Sequence, residues 1–253
     1  MLDVFIRYSY FIDSDPRLHR QEGYGYRPTA DFSTKRLSLL LPEELCKGKS
    51  ILDLGSCVGA SGAYALYNGA KKYVGVEQDS ELYRISSDNF LKTDFQNYNI
   101  VHSTVENFLE NNTEKFDIVL CMGILHVFDN PFEYWRLIAK CAKNTILVDQ
   151  HHPYIEQLDN LDESIKKLFL KKNVLTDFFE KEQFFSVKPV VNYMLNQDIA
   201  PECLEPSMAV IYNFFKLEGF KSAVDLNTEA KKILPDEYAR RFMIRLDKND
   251  LEI

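Results

Sequence analysis

Between about residues 50 and 150 the chain alternates two hydrophobic patterns. Short apolar runs at 50–54 (SILDL), 73–76 (YVGV), 99–102 (NIVH), 116–121 (FDIVLC) and 145–149 (TILVD) predict strands. Stretches of helical spacing at about 61–68, 80–91 and 131–142 separate them. Strands alternating with helices predict a parallel sheet wrapped by crossover helices. Asn130 is placed to cap the helix over 131–142, and Pro131 suits its first position. The rhythm breaks from residue 151 to about 205, where helical patterns near 161–171 and 175–183 precede irregular residues. It resumes with a helix over 206–217 capped by Gly219, a strand over 222–226 and another over 238–246, with Pro235 and Asp236 marking the bend between the two strands. Residues 1–45, with Tyr8, Tyr10, Arg17, Arg20, Tyr24, Tyr26 and Arg27, predict a helical or irregular cap on the sheet.

This pattern reads as one domain. Its parts are an N-terminal cap (1–45), a core (46–150), a helical lid inserted after the fifth strand (151–205), and a C-terminal helix with two strands (206–253). A length of 253 residues suits one large α/β domain with a full core, and 45% hydrophobic content excludes a disordered chain. No internal repeat and no low-complexity segment is present.

Charge narrows the partners. The formal net charge is -8. Nucleic-acid affinity comes from Lys and Arg neutralising phosphates, so an acidic chain must build such a patch against its own field. An anionic membrane surface is disfavoured for the same reason. The five cysteines are odd in number, irregularly spaced and free of any CxxC pair. They predict reduced thiols in a cytoplasmic protein, neither a disulfide framework nor structural zinc. The opening MLDVFIRYSYFIDSD lacks the pattern of a signal peptide, and no apolar run has transmembrane length.

The chemistry concentrates in ILDLGSCVGASG, residues 51–62. A strand delivers Asp53, a Gly-rich turn follows, and the turn opens a helix whose N-terminal N–H groups face a ligand. The pattern D-x-G-x-x-x-G lacks the third spaced glycine of a dinucleotide fingerprint. Glu77 ends the second strand, where a carboxylate accepts hydrogen bonds from ribose hydroxyls.

On these residues the chain resembles the class I methyltransferases that use S-adenosylmethionine (SAM), over roughly residues 35–246. The resemblance implies a Rossmann-like, seven-stranded, mostly parallel sheet and SAM as cofactor. It places Asp53, Gly55 and Gly59 against the methionine part of SAM and Glu77 at the ribose, with Ser56, Cys57 and Gln78 also among the cofactor-binding residues. Thr104, Val105 and Glu106 (STVENF) match the segment beside the adenine. FDIVLCMGILHVFDNP, residues 116–131, matches the fourth motif and the loop facing the methyl group, with Met122 and Gly123 at the strand end. Cys57 stands where that family usually has glycine. Within the superfamily the spacing of CMGILHVFDNPFEYWRLIAK (121–140) and PSMAVIYNFFKLEGFKSAVDL (206–226), with the Arg240–Arg241 pair, is most similar to the tRNA wobble-uridine carboxymethyltransferase branch. His126 stands where that branch has a tyrosine near the cofactor's extra carboxylate.

Histidine is the natural base near neutral pH. His126 follows strand 4, and His151 and His152 follow strand 5, all at the sheet edge where ligands bind in this fold class. Each is either a catalytic or substrate-contacting residue or an ordinary packing residue. Tyr26 and Arg27, in YGYRP, are either part of a lid over SAM or a surface segment packed by its rings. No metal is expected, because Cys121 and Met122 occupy the strand-4 end where a metal-dependent relative carries an acid. The aromatic residues of 151–205 suit a closed pocket for a small, partly apolar substrate. The expected activity is methyl transfer to an oxygen or nitrogen of a small molecule by a monomer or homodimer. The alternatives are a tRNA-modifying (carboxy)methyltransferase and a non-catalytic SAM-binding module.

Overall fold

Each of the predicted central strands lies in one seven-stranded sheet. The computed structural model describes residues 9–16, 30–151, 185–189, 202–234 and 241–248. A short helical stretch at 9–13 precedes α1 (Ala30–Leu40) and α2 (Glu43–Cys46). Then come β1 (Ser50–Leu54), α3 (Ala60–Tyr67), β2 (Lys72–Glu77), α4 (Ser80–Leu91), β3 (Tyr98–His102), α5 (Val105–Asn111), β4 (Phe116–Met122), α6 (Pro131–Cys141) and β5 (Ala142–His151). The later elements are β6 (Phe185–Pro189), β7 (Glu202–Pro206), α7 (Met208–Leu217), β8 (Ser222–Asp225), α8 (Asn227–Ile233) and β9 (Arg241–Asp247).

The sheet order is β3-β2-β1-β4-β5-β9-β8. β1 to β5 pair in parallel, whereas β9 runs antiparallel between β5 and β8. The order reverses between β1 and β4, and that reversal opens a crevice at the carboxyl ends of these strands. β1 is buried along its whole length, as a central strand covered on both faces must be.

Two hydrophobic layers cover the sheet. One joins Ile51, Tyr73, Ile118, Leu147 and Met243 to Leu37 and Leu40 of α1 and to Ala230 of α8. The other joins Leu52, Val119, Val148 and Phe242 to Trp135 of α6 and to Phe214 and Phe215 of α7. Alternating strand residues therefore feed alternate layers. Trp135 packs edge-on against Phe214 at 5.3 Å and donates its indole N–H to the Leu125 carbonyl at 3.0 Å. That bond anchors the loop after β4 to a helix.

Several expectations change. A helix, α8, lies between β8 and β9 where only a bend was expected, while Pro235 and Asp236 fall outside the described residues. The insertion expected to be a helical lid includes a strand pair, β6 with β7, from Phe185↔Pro206 to Pro189↔Glu202. The helical patterns at 161–171 and 175–183 lie outside the described residues. Asn130 occupies the cap position of α6, but its side chain donates to Glu133 Oε2 at 2.9 Å and caps no backbone N–H. Among the described residues no helix is long and apolar enough to cross a membrane.

Candidate functional site

The turn after β1 is built by backbone geometry. Gly55 (φ +77°) and Gly59 (φ +84°) take left-handed conformations that side chains disfavour. At Gly59 a Cβ would lie 2.6 Å from both Ser86 Oγ and the Phe90 ring, so α4 also requires glycine there. Cys57 adopts the same left-handed region (φ +51°) without being glycine. The loop conformation thus survives the replacement of the usual glycine, at the cost of local strain. Gly55 N and Ser56 N both donate to the Val76 carbonyl at 2.9 Å, which fastens the turn to β2. Gly59 heads α3 with no side-chain cap.

Asp53 lies fully buried beneath this turn. Its Oδ2 accepts hydrogen bonds from Ser61 Oγ and, at 2.8 Å, from Tyr73 Oη. Its Oδ1 has no partner. Burial pushes the Asp53 carboxyl up to about 6, against the opposing pull of the Ser61 and Tyr73 hydrogen bonds. A buried acceptor without a donor is uncommon and signals a missing partner.

Glu77, at the end of β2, is also buried. Its Oε2 accepts from Cys57 N at 2.8 Å and its Oε1 from Asp79 N at 2.9 Å. Both oxygens are thereby fixed at the mouth of the turn. Gln78 is exposed, and its carbonyl accepts from His102 Nε2 at 3.1 Å. His102 stacks on Tyr83 with ring centroids 4.8 Å apart.

Thr104 caps α5, its Oγ1 accepting from Asn107 N at 3.1 Å. Val105 is buried in the second hydrophobic layer and Glu106 is half-buried. These residues set the position of α5 beside the carboxyl end of β3.

A second cluster closes the crevice on the β4–β5 side. Met122 ends β4 opposite Asp149 of β5, and Gly123 N donates to the Asp149 carbonyl at 2.7 Å. The fully buried Asp149 carboxylate receives Arg36 Nε at Oδ2 and Arg241 Nε at Oδ1, the latter at 2.7 Å. Arg241 Nη2 also donates to the Asp149 carbonyl at 3.2 Å and lies 3.8 Å from where a Gly123 Cβ would be. Two guanidiniums therefore flank one carboxylate beside Gly123. Arg36 and Gln150 were not singled out in the sequence. Arg36 lies in a segment read only as a cap, and Gln150 follows an apolar strand without a motif of its own.

His126 is half-buried in the loop after β4, and its Nδ1 sits 2.6 Å from Gln150 Nε2. His151 ends β5 in register with Arg241. Tyr26, Arg27, Arg240 and His152 lie outside the described residues. The structure thus brings Asp53, Gly55, Ser56, Cys57, Gly59 and Glu77 together around one turn, and puts Met122, Gly123 and His126 at the end of β4 and the loop after it. Among the described residues no group of three or more His, Cys, Asp or Glu could hold a metal ion.

The chain is 30% identical over 118 residues to a ribosomal protein L11 methyltransferase of Macrococcus caseolyticus, covering 46% of this chain and 37% of that protein. It is 31% identical over 96 residues to a ubiquinone biosynthesis O-methyltransferase of Aliivibrio fischeri, covering 38% and 40%. The chain therefore spans about two fifths of the length of these curated relatives. The magnesium protoporphyrin IX methyltransferase of Synechocystis PCC 6803, solved with bound S-adenosylhomocysteine, superposes with a TM-score of 0.56 at 13% identity, covering 96% of this chain and 99% of that one. At that identity the likeness shows the fold, which is that of the class I methyltransferases. The family model described as Conserved hypothetical protein 95 matches residues 15–174, more than half of the chain, and the chain belongs to that family.

Proposed function

We propose that the chain is a SAM-dependent methyltransferase acting on an oxygen or nitrogen of a small molecule. The observation that carries this reading is the unpartnered, buried Oδ1 of Asp53 beneath a left-handed turn whose mouth is fixed by Glu77. A cofactor bearing both an ammonium group and a ribose suits these two carboxylates. Asp53, Gly55 and Gly59 would hold its methionine part and Glu77 its ribose.

The bound cofactor supplies an activated methyl group on a sulfonium. The protein's own residues supply orientation and a site closed to water. The turn is tied to β2, and the loop after β4 is anchored through Trp135, so the two sides of the crevice are held rigidly. Met122 and Gly123 bring backbone to the β4 end, where the methyl acceptor would enter.

The overall negative charge supports a small acceptor over a nucleic acid. A carboxymethyl-transfer reading needs a cation for the cofactor's extra carboxylate. Arg241, a candidate for that part, donates its Nε to Asp149. The partnerless, buried Oδ1 of Asp53 supports a chain that binds a cofactor there, since a buried acceptor without a donor costs stability.

Calorimetry with SAM and S-adenosylhomocysteine tests the cofactor, with a Glu77→Ala variant alongside. Saturable binding weakened in the variant is expected. Transfer of a labelled methyl group to phenolic and amine acceptors, against tRNA and ribosomal protein, tests the substrate class. No binding of either cofactor form by the wild type overturns the reading. Methylation of tRNA or ribosomal protein alone overturns the small-molecule part.

A further inference from the structure

His126 and Gln150 form a pair whose chemistry neither residue shows alone. Gln150 is on β5 and fully buried, and its Nε2 lies 2.6 Å from His126 Nδ1. An amide NH2 only donates, so Nδ1 must be the accepting, unprotonated ring nitrogen. The imidazole proton then sits on Nε2. The Gln150 Oε1 is buried without a partner. The opposite amide orientation would put the NH2 group in that partnerless position instead. It would leave two N–H donors in place of one acceptor oxygen there, so the orientation described is the favoured one. Gln150 cannot turn away to solvent, because no atom of its side chain reaches it.

We propose that Gln150 is a positioning residue that locks His126 in the Nε2–H tautomer, so that His126 donates a hydrogen bond to the methyl acceptor and does not take its proton. The catalytic meaning rests on the methyltransferase reading above. It specifies the acceptor class: an oxygen that arrives already deprotonated and has a second lone pair to accept the His126 N–H, such as a phenolate or a carboxylate. The acceptor's lone pair forms the new bond to the methyl carbon, the carbon–sulfur bond breaks, and its electron pair stays on sulfur as a neutral thioether. No proton leaves the acceptor in that step, so no base is required. The lone pair of His126 Nδ1 is already committed to Gln150, which is why the ring suits a donor.

Nitrogen NMR of the imidazole tests the tautomer without any substrate. The full chain is labelled at histidine, the His126 signals are assigned by their loss in His126→Asn, and spectra are taken at about pH 8.5, above the ordinary histidine range. An unprotonated Nδ1 and a protonated Nε2 are expected in the wild type. Gln150→Glu should reverse the pattern, because a carboxylate there accepts and calls for Nδ1–H. Gln150→Met should release the ring to a mixture of both tautomers. If a buried charge unfolds the Glu variant, the Met variant carries the test, with circular dichroism as the check on folding. A wild-type ring unprotonated at Nε2, a ring protonated on both nitrogens, or an unchanged tautomer in a folded Gln150→Met variant overturns the proposal. Failure of SAM or S-adenosylhomocysteine to bind is a separate result that overturns the methyltransferase reading and leaves the tautomer measurement standing.

Discussion

The backbone N–H of Cys57 donates to Glu77 Oε2 at 2.8 Å, joining the turn after β1 to the end of β2. The same carboxylate holds Asp79 N through its other oxygen. Glu77 therefore shapes the turn before any ligand arrives. Glu77→Ala should weaken S-adenosylhomocysteine binding roughly tenfold to a hundredfold, since a hydrogen bond to a charged group is worth about 1.5–3 kcal/mol. Glu77→Gln should lose less, because its remaining carbonyl oxygen still accepts. Isothermal titration of the three proteins checks the order.

Cys57 carries a side chain where φ is +51°. The left-handed region costs a non-glycine residue about 1–2 kcal/mol, and glycine returns about half of that through unfolded-chain entropy. Cys57→Gly should thus gain about 0.5–1 kcal/mol and raise the melting temperature by about 1–4 °C for a chain of this size. Cys57→Val should lower it, because a branched Cβ tolerates that φ worst. Differential scanning calorimetry measures both.

Asp53 makes stability depend on pH. Its folded pKa, about 6, lies above the unfolded value of about 4. Below about pH 4 the carboxyl is protonated in both states and contributes nothing. As pH rises from about 4 to about 6 the unfolded chain ionises first, so stability falls. Above about 6 the loss is complete, on the order of 3 kcal/mol. Asp53→Asn should flatten this part of the profile in urea unfolding. Binding of an ammonium-bearing cofactor should show the reverse trend and tighten as pH rises through about 6, which calorimetry at several pH values would read.

Asp149 sits between Arg36 and Arg241, with its own side chain fully buried and theirs partly exposed. Asp149→Ala would leave two guanidiniums side by side without their carboxylate. Removing one member of a buried ion group costs about 3–5 kcal/mol, and partial exposure of the arginines places this case near the lower end. A drop of about 3 kcal/mol in urea unfolding is expected. An Arg36→Gln variant should lose less, since Arg241 still pairs with the acid.

The central half of the fold was legible because its signals are local. β1 and α4 match their expected bounds, since SILDL is an unbroken buried run and Asp79 accepts from Glu81 N and Leu82 N to start α4. The turn from Asp53 to Gly59 was legible for the same reason. α8 was not, because NTEAKKI has little apolar periodicity and is held by Ala230 alone among its fully buried apolar side chains. The β6–β7 pair rests on cross-strand contacts between distant segments, which no window of sequence reports. Arg36 and Gln150 were missed because their importance comes from the groups they meet, 113 residues away in one case and 24 in the other.

The place of β9 in the sheet imposes an order on biosynthesis. β5 is completed at residue 151, but its partner on that flank begins at Arg241. While the intervening chain emerges from the ribosome, β5 is an exposed apolar edge, and Asp149 must wait for one of its two cations. Unpaired edges of this kind attract other chains. The nascent protein is therefore most exposed to mispairing during the synthesis of residues 152–240, and a chaperone that shields β5 would act in that interval.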